Sequence, residues 1–490
     1  MEPMRLDRHR RERSNWVTLC KIGVFLGVLG VTGVQISEAA LPYVIQIACN
    51  WSITGEFQGT ALRSDGTVWT WQIYPGLVPA QVSGLSNITA IAAAEGSSSH
   101  MLAVRNDGTV WAWGSNGSGQ LGDGTTTDSS VPVQVSGLLN VVSVASGEYH
   151  SLAIKSDGTV WAWGSNWYGE LGNGTSVSFP NVGSSVPLQV TGLYGVVAIV
   201  AGDCFSLAIR GDGTVWAWGC NSFGQLGNGT TTNSNIPVQV GGLSGITAIA
   251  AGDGHSLAVR SDGTVWAWGW NDVGQLGTNG TTNSETPLQV PGISNAFDVA
   301  GGGPSGDGAL TSMVLTSNGT VMDWGYDAQS LSSLSNIVAI AGGGDAALAV
   351  RSDSTVWQWG MANSQLYAPA QVMVPAPASF QVQTSGTGPG AITPTSSTVY
   401  EGTNVTFTLT PSTGYTLYSV IDNGTGVTQG IAWNADETVY TYTISHVMSN
   451  HTVQVTFGNP FQLSYGSGGN GTITSSSSSA DYGNSVLRPS

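Results

Sequence analysis

The sequence has few charged side chains, and most of those it has are acidic. Only 9% of its 490 residues are charged, and 30 acidic residues stand against 13 basic ones. The formal net charge of −17 makes the chain a poor partner for nucleic-acid phosphates and for anionic membranes. We therefore expect no nucleic-acid ligand.

The sequence also lacks an apolar run long enough to cross a membrane. The run Ile22–Val34 is shorter than the roughly 20 residues that a spanning helix needs. Five arginines precede it and small residues follow at Ser37 and Ala39, which is typical of a secretory signal. We expect residues 1–39 to be a cleaved signal, no stable membrane span after cleavage, and a secreted or cell-surface protein. An uncleaved N-terminal anchor is the alternative.

Cysteine is rare and follows no framework. Cys20 lies in the predicted signal, which leaves Cys49, Cys204 and Cys220, an odd number at unrelated spacings. Cys204 and Cys220 either pair within one repeat or are isolated thiols. We expect no metal site and no cofactor.

One nine-residue segment, "SDGTVWAWG", occurs twice, at Ser156–Gly164 and Ser261–Gly269, and five near-copies surround it. The turn positions are separated by 42, 50, 55, 50, 56 and 35 residues. Such periods are typical of solenoids or propellers. The seven turns begin at Asp65, Asp107, Asp157, Asp212, Asp262, Asn318 and Asp353.

Each repeat contains four short strand patterns. In one unit these are "VVSVASGEYH", "SLAIKSDG", "TVWAWGSN" and "VPLQVTGL", with Asp-Gly as a hairpin turn between the second and third. Seven such units predict an all-β protein with a seven-bladed β-propeller at residues 43–374. An open solenoid is the alternative, but it requires polar caps that the sequence does not show. The sixth unit lacks "PxQV" and should be the least regular.

The third strand of each unit accounts for the repeated letters. A period of two places Trp161 and Trp163 on one face, and Val160 and Ala162 on the other. Each buried Trp removes on the order of 200 Å² from water. We therefore assign the Trp pairs to the core between blades rather than to ligand stacking.

Two recurrent motifs resemble the repeats of the regulator of chromosome condensation, over about residues 43–374. The resemblance implies a seven-bladed propeller. That family includes an exchange factor for a nuclear GTPase, plant photoreceptors and a secreted bacterial inhibitor of β-lactamase; the predicted signal favours the secreted type. No Arg adjoins a Trp in the sequence, so the photoreceptors' Trp–Arg cluster is not visible. The motifs are "VASGEYHSLAI" from Val144, "IAAGDGHSLAV" from Ile249, and the loops "GSNGSGQLG", "GSNWYGELG" and "GCNSFGQLG" from Gly114, Gly164 and Gly219.

Two other repeated positions hold polar side chains that we assign to structure. His100, His150 and His255 share one position, where hydrogen bonding is favoured over metal ligation because metal ligands must converge. A cation precedes most turns, and we expect it to pair with the turn Asp or with a neighbouring blade. These cations are Arg63, Arg105, Lys155, Arg210, Arg260 and Arg351.

Enzyme motifs are missing from the sequence. It contains no P-loop, no "HExxH" and no "GxSxG", so we expect a protein that is not an enzyme. Four carboxylates, Glu56, Glu148, Asp203 and Asp253, occupy the turn between the first two strands of their units. They are solvated loop residues or a cation-binding ring. A glycosidase is the enzyme class kept as an alternative.

The composition changes after Val374. Residues 375–379 form a Pro/Ala-rich linker, and the alternating strands at 380–458 resemble the divergent internalin-type B repeat of bacterial surface proteins. Residues 459–490 begin the same pattern again and stop in mid-strand. We therefore expect one β-rich module followed by a truncated second one, from a fragment or a frameshift.

These features predict a secreted or surface-exposed propeller that binds another macromolecule, an unknown protein or cell-surface ligand. Up-down strand order brings two connections of each blade to one face, the turn between the first two strands and the loop after the third strand. The loop after the third strand is long only in blades 2–5. We place a partner over blades 3–5, and expect Tyr168 and Phe223 to point inward. A glycan-binding lectin is the alternative. The predicted contact residues are Tyr149, Trp167, Phe179 and Trp270, with Glu148, Asp203 and Asp253.

Overall fold

The computed structural model describes residues 43–458 with several gaps. These are 52–56, 74–77, 95, 97–98, 179–181, 303–310, 326–330, 332, 344–345, 363–364, 375–378, 401–404, 428, 435–437, 446 and 448. The predicted signal, most of the predicted linker and the predicted truncated module lie outside the described residues, as do Glu56 and Phe179. The described residues fall into two compact units, 43–374 and 379–458.

Every regular element in these described ranges is a strand, which confirms the all-β class. In the first unit the strands form seven successive sheets, blades 1 to 7. Blades 1 to 4 are β1 Val44–Trp51, β2 Phe57–Arg63, β3 Val68–Gln72, β4 Ala80–Gln81; β5 Ile88–Ala93, β6 His100–Arg105, β7 Val110–Gly114, β8 Ser129–Gln134; β9 Val141–Ser146, β10 His150–Lys155, β11 Val160–Gly164, β12 Ser184–Gln189; and β13 Val196–Ala201, β14 Phe205–Arg210, β15 Val215–Gly219, β16 Ser234–Gln239.

Blades 5 to 7 continue the same antiparallel order. In blade 6 the described residues form only three strands, and residues 326–330, which follow the third, are not described. The strands are β17 Ile246–Ala251, β18 His255–Arg260, β19 Val265–Gly269, β20 Ser284–Gln289; β21 Ala296–Gly301, β22 Thr311–Thr316, β23 Val321–Gly325; and β24 Ile337–Gly343, β25 Ala346–Arg351, β26 Val356–Ala362, β27 Gln365–Val372.

The Asp-Gly turns explain why the repeated letters include "DGT". The carboxylate oxygen Oδ1 of Asp157 accepts hydrogen bonds from the backbone N–H of Thr159 at 3.0 Å and from its hydroxyl at 2.6 Å. Gly158 takes a φ of +77°, which a residue with a side chain rarely adopts. The motif therefore closes the hairpin between β10 and β11 with its own side chains.

The third strand has two faces, as the period of two predicts. Trp161 and Trp163 pack with the core of blade 2, while Val160 and Ala162 pack with blade 4. Trp163 is fully buried, and its indole N–H donates to the backbone oxygen of Gln120 at 2.8 Å. Each Trp face thus joins its blade to the preceding one.

The first and last blades are in contact, so the open-solenoid alternative is wrong for this unit. Ile47 and Trp71 of blade 1 share a hydrophobic cluster with Leu348 of blade 7. The indole N–H of Trp71 donates to Oε1 of Gln358 at 2.9 Å, and Nε2 of Gln358 donates to the backbone oxygen of Ile73 at 2.9 Å. The sheets therefore close into a ring.

The second unit consists of two sheets that share one core. The sheet orders are β30-β28-β36-β32-β33 and β29-β31-β35-β34. Buried residues from both sheets, among them Val382, Phe407 and Val455, form a single hydrophobic cluster. The strands are β28 Ser379–Thr387, β29 Gly390–Thr393, β30 Ser396–Tyr400, β31 Val405–Pro411, β32 Thr416–Asp422, β33 Thr425–Gly426, β34 Ile431–Trp433, β35 Tyr440–Ile444 and β36 His451–Gly458.

Candidate functional site

The turn between the first two strands of a blade and the loop after its third strand meet at one edge. In blade 3 the ring of Tyr149, from the turn, lies 5.5 Å from the ring of Trp167, from the loop. In blade 4 the backbone N–H of Cys220 donates to the oxygen of Cys204 at 2.9 Å. We call this edge of blades 3–5, made of the turns 147–149, 202–204 and 252–254 and the loops after β11, β15 and β19, the loop face.

Each long loop is held by one buried Asn. In blade 4 the side-chain oxygen of Asn221 accepts the backbone N–H of Leu226 at 2.9 Å. Its amide nitrogen donates to the backbone oxygens of Thr230 at 2.8 Å and Thr232 at 3.0 Å. Asn116, Asn166 and Asn271 make the corresponding bond to the Leu of their own loops. The loops therefore present their other side chains on a fixed backbone.

Two aromatic pairs lie on this face. Tyr149 and Trp167 are tilted by 49° to each other, and Phe223 of blade 4 stacks on Trp270 of blade 5 at 5.0 Å and 13°. All four rings are partly exposed. Gly254 leaves room for the second pair, because a Cβ there would lie 3.0 Å from Phe223 and 3.3 Å from Trp270.

The expectation that Tyr168 points inward is wrong. Its side chain is 43% exposed, while Phe223 at the same loop position is half-buried. The two residues have the same backbone hydrogen bond, to the side chain two residues further on. The N–H of Tyr168 donates to Glu170 at 2.8 Å, and that of Phe223 donates to Gln225 at 3.0 Å. A repeated backbone bond does not fix where the side chain points.

Three of the four predicted carboxylates interact across neighbouring turns. Burial raises the pKa of Asp203. The hydrogen bond with Glu148 and the charge of Glu148 raise it further, and so does the charge of Asp253. The backbone N–H of Glu148 donates to the oxygen of Asp203 at 3.3 Å. These side chains share an electrostatic site, so they are not independent solvated loop residues.

Glu170 is a functional candidate that the sequence reasoning missed. It replaces the Gln of "GQLG" in blade 3 and is only 2% exposed. Its carboxylate accepts the hydroxyl of Ser165 at 3.2 Å and the backbone N–H of Tyr168 at 2.8 Å. Burial nevertheless raises its pKa to about 7. The departure "GELG" was the signal that could have identified it.

Cys204 and Cys220 were missed as members of this surface. They are free thiols, as one alternative held, but they are not isolated from each other. The Cys204 thiol donates a hydrogen bond to the Cys220 sulfur, which raises the pKa of Cys204 and lowers that of Cys220. Burial raises the pKa of Tyr168, and electrostatic interactions with the pair raise it further.

The repeated histidines make hydrogen bonds, as predicted, and these bonds join neighbouring blades. The Nε2 atoms of His100, His150 and His255 lie 2.6, 2.9 and 2.9 Å from serine hydroxyls of the next blade. Burial lowers their pKa values to about 3, 3 and 4, so the rings are neutral at pH 7. Among the residues that the structure describes, no three His, Cys, Asp or Glu side chains are grouped to hold a metal.

The repeated cations lie over the Trp at the second residue of the third strand, on the side of the propeller opposite the loop face. Arg105, for example, lies 4.5 Å from the ring centroid of Trp111 and 3.7 Å from the carboxylate of Asp107. Pairing with the turn Asp is confirmed at Arg105, Arg210 and Arg260. The Trp contact was missed because the two residues are on adjacent strands, not adjacent in sequence. The six contacts join Arg63 to Trp69, Arg105 to Trp111, Lys155 to Trp161, Arg210 to Trp216, Arg260 to Trp266 and Arg351 to Trp357.

The closed ring of sheets and its loop face define a β-propeller of the RCC1 type. Residues 27–334 match the model of the RCC1-like domain family, and the chain belongs to that family. Within the described ranges no helix is long and apolar enough to cross a membrane.

Curated relatives and solved structures show the same similarity. The chain is 30% identical to the mouse E3 ubiquitin-protein ligase HERC2 and 31% identical to the human protein over 200 residues, which is 38% of this chain and 4% of each relative. Human WBSCR16 is similar with a TM-score of 0.53 and 24% identity, over 61% of this chain and 85% of that one. Yeast RCC1 (Prp20), solved with Kap60 bound, is similar with a TM-score of 0.50 and 18% identity, over 71% and 91%.

Proposed function

We propose that this chain is a non-enzymatic propeller that binds a protein partner through the loop face of blades 3–5. The observation that carries the proposal is the two partly exposed aromatic pairs, Tyr149 with Trp167 and Phe223 with Trp270. Trp167, Phe223 and Trp270 lie on loops fixed by buried Asn residues. Trp and Tyr dominate binding energy at protein interfaces, and fixed side chains lose little entropy on binding. The RCC1-like fold supports a binding role.

The charge of the face favours a partner with a basic segment. Glu148, Asp203 and Asp253 lie in the turns beside the aromatic pairs. The charges of Lys or Arg side chains would complement these carboxylates, and their cationic groups can also lie over exposed Trp faces. A cation placed beside Asp203 would lower its raised pKa and return it to the ionised form.

We further propose that the protein is secreted or associated with a cell surface. The pattern of residues 1–39 supports export, and the β-rich unit at 379–458 is suited to a spacer of the internalin-type B repeat kind. The chain spans 4% of the length of the HERC2 proteins, so ubiquitin-ligase activity forms no part of this proposal.

Affinity capture from the culture medium and cell envelope of the source organism tests the proposed face. We expect the double variant Trp167→Ala/Trp270→Ala to lose at least tenfold in affinity for the captured protein, because it removes one ring from each aromatic pair. Trp433→Ala is the matched control, since Trp433 is an exposed Trp of the second unit.

Two results would contradict this assignment. Unchanged capture by the double variant, together with loss of capture by Asp107→Lys/Asp212→Lys on the Asp-Gly side, would place the partner on the opposite face. Binding to a glycan array that persists after depletion of the partner protein would favour the lectin alternative, for which the exposed faces of Trp167 and Trp270 offer stacking surfaces.

A further inference from the structure

Two cysteines lie opposite each other at the loop face of blade 4. Cys204 immediately precedes β14 and Cys220 immediately follows β15, and the pairing of Phe205 with Gly219 places the two cysteines in register. The backbone N–H of Cys220 donates to the oxygen of Cys204 at 2.9 Å. Residues directly opposite in a hydrogen-bonded antiparallel pair have Cα atoms about 5.5 Å apart, which lies within the Cα range that a disulfide spans.

The fold does not require cysteine at these positions. The corresponding pairs are Ser99 with Ser115 in blade 2, Tyr149 with Ser165 in blade 3 and Gly254 with Trp270 in blade 5. All three make the same backbone hydrogen bond, at 3.0, 2.8 and 2.8 Å. The juxtaposed thiols are therefore a feature of blade 4 and not of the repeat.

The two thiols have different acidities and different exposures. The hydrogen bond from the Cys204 thiol lowers the pKa of Cys220, and Ser222 lowers it further through its backbone N–H and hydroxyl. The thiolate is the nucleophilic form of cysteine. Cys220 is 7% exposed and Cys204 is more open, so a small molecule has access to the pair from the loop face.

We propose that Cys204 and Cys220 are a redox-modified dithiol, which hydrogen peroxide converts to a disulfide at the centre of the loop face. The Cys220 thiolate attacks one peroxide oxygen, the O–O bond breaks, and the leaving hydroxide takes a proton to become water. The product is the sulfenic acid of Cys220. The Cys204 sulfur then attacks the Cys220 sulfur, the S–O bond breaks, and hydroxide leaves as water with the Cys204 proton. The two sulfurs lose two electrons in total, and peroxide gains them.

The disulfide would also change the charge of the candidate surface. The pair acts electrostatically on Tyr168 and Glu170, so replacing a thiolate with a neutral disulfide removes a negative charge from their surroundings. Only the expected effect on partner binding depends on the proposed function. Formation of the disulfide does not depend on it.

Peptide mapping tests the bond directly, because Arg210 lies between the two cysteines. Tryptic cleavage yields the peptides 156–210 and 211–260, with one of the two cysteines in each. We expect peroxide treatment of the full chain, followed by alkylation and digestion, to give the two peptides linked, with the loss of two hydrogen atoms and reversal by dithiothreitol. Separate peptides at every peroxide concentration that leaves the protein folded would overturn the proposal.

Three variants sharpen the experiment. Cys204→Ser should let peroxide carry Cys220 to a sulfenic acid, which dimedone would trap, and Cys220→Ser should show neither the link nor comparable trapping at Cys204. Cys49→Ser is the matched control, because Cys49 is a buried thiol in β1 and should leave the link unchanged. A link that involves Cys49, or trapping at Cys204 in place of Cys220, would contradict the assigned roles.

Partner capture before and after oxidation separates this inference from the proposed function. A linked pair with unchanged capture would support disulfide formation but contradict the expected effect of the disulfide on partner binding at the loop face. A linked pair with capture reduced at least threefold, and restored by dithiothreitol, is the expected result.

Discussion

At the scale of single residues, two Trp positions that look equivalent in "VWAWG" have different environments. Trp163 is fully buried between blades, whereas Trp161 is partly exposed beneath Lys155 and donates to the hydroxyl of Thr159 at 3.3 Å. The sequence predicts that both side chains are on one face. It does not rank them, because their depth depends on the neighbouring blade.

Trp163→Ala should lower the free energy of unfolding by about 3–5 kcal/mol, the usual cost of removing a large buried ring. It also removes the hydrogen bond to Gln120. Trp167→Ala should cost less than about 1 kcal/mol, since Trp167 lies on the loop face and is partly exposed. Urea unfolding of both variants measures the difference, and equal losses would refute this assignment of core and surface.

Glu170 leads to a prediction about pH. Its folded-state pKa of about 7 is above the ordinary value of about 4.3, so the folded protein binds the extra proton between these values. The unfolding free energy therefore falls as pH rises through this window. Glu170→Gln removes that fall. The unfolding free energy of the variant, relative to that of the original protein, should therefore rise by on the order of 3 kcal/mol as the pH goes from 4 to 8.

Gln225 offers the reciprocal control. It occupies the same loop position in blade 4, is buried, and its side-chain oxygen accepts the N–H of Phe223 at 3.0 Å. Gln225→Glu should acquire the pH dependence that Glu170→Gln loses. A stability difference between Glu170→Gln and the original protein that is constant from pH 4 to pH 8 would show that folding does not raise the pKa of Glu170.

At the scale of elements, the loop after the third strand packs against the Trp at the fourth residue of the third strand in the following blade. Gly172 has a φ of +60°, and a Cβ there would lie 2.9 Å from the indole of Trp218. Gly174, in the same loop, has a φ of +85°, but its nearest neighbour would be 3.9 Å away. The two glycines differ in packing but not in the sign of φ.

Gly174→Ala should therefore lower the unfolding free energy by about 1–2 kcal/mol, from backbone strain alone. Gly172→Ala should cost about 2–4 kcal/mol, because an atom forced into a packed interior adds to that strain. Thermal or urea unfolding of the pair checks the difference. Equal costs would mean that the indole of Trp218 moves aside freely.

At the scale of the whole molecule, ring closure depends on one departure from the repeat. In blades 3 to 6 the Trp at the fourth residue of the third strand donates to a backbone oxygen in the preceding blade's long loop. The acceptors are Gln120, Glu170, Gln225 and Gln275. Blade 7 precedes blade 1 in the ring but passes from β26 to β27 without such a loop. Gln358, in "VWQWG" where blades 2 to 5 have Ala, supplies the acceptor for Trp71.

Gln358→Leu should lower the unfolding free energy by about 2–4 kcal/mol, because the N–H of Trp71 and the oxygen of Ile73 would be left buried without partners. Gln371→Leu is the control, since Gln371 is exposed on the neighbouring strand β27 and should change stability by no more than about 0.5 kcal/mol. Similar effects of both substitutions would show that the Gln358 contacts do not stabilise the closed ring.

The amino-acid sequence alone specifies the strands, the hairpin turns and the propeller class, because these are local properties of each unit. Strand alternation recurs along the chain, and each turn is marked by Asp-Gly or by the related Asn-Gly and Asp-Ser pairs. The sequence also determines which residues of the third strand share a face. Three outcomes follow only from the packing of the fold: Cys204 meets Cys220, Glu170 is buried and Tyr168 is exposed. They depend on distant strands and on the space between blades. The aromatic pair of Phe223 and Trp270 joins two repeats, so no pattern within one repeat could predict it.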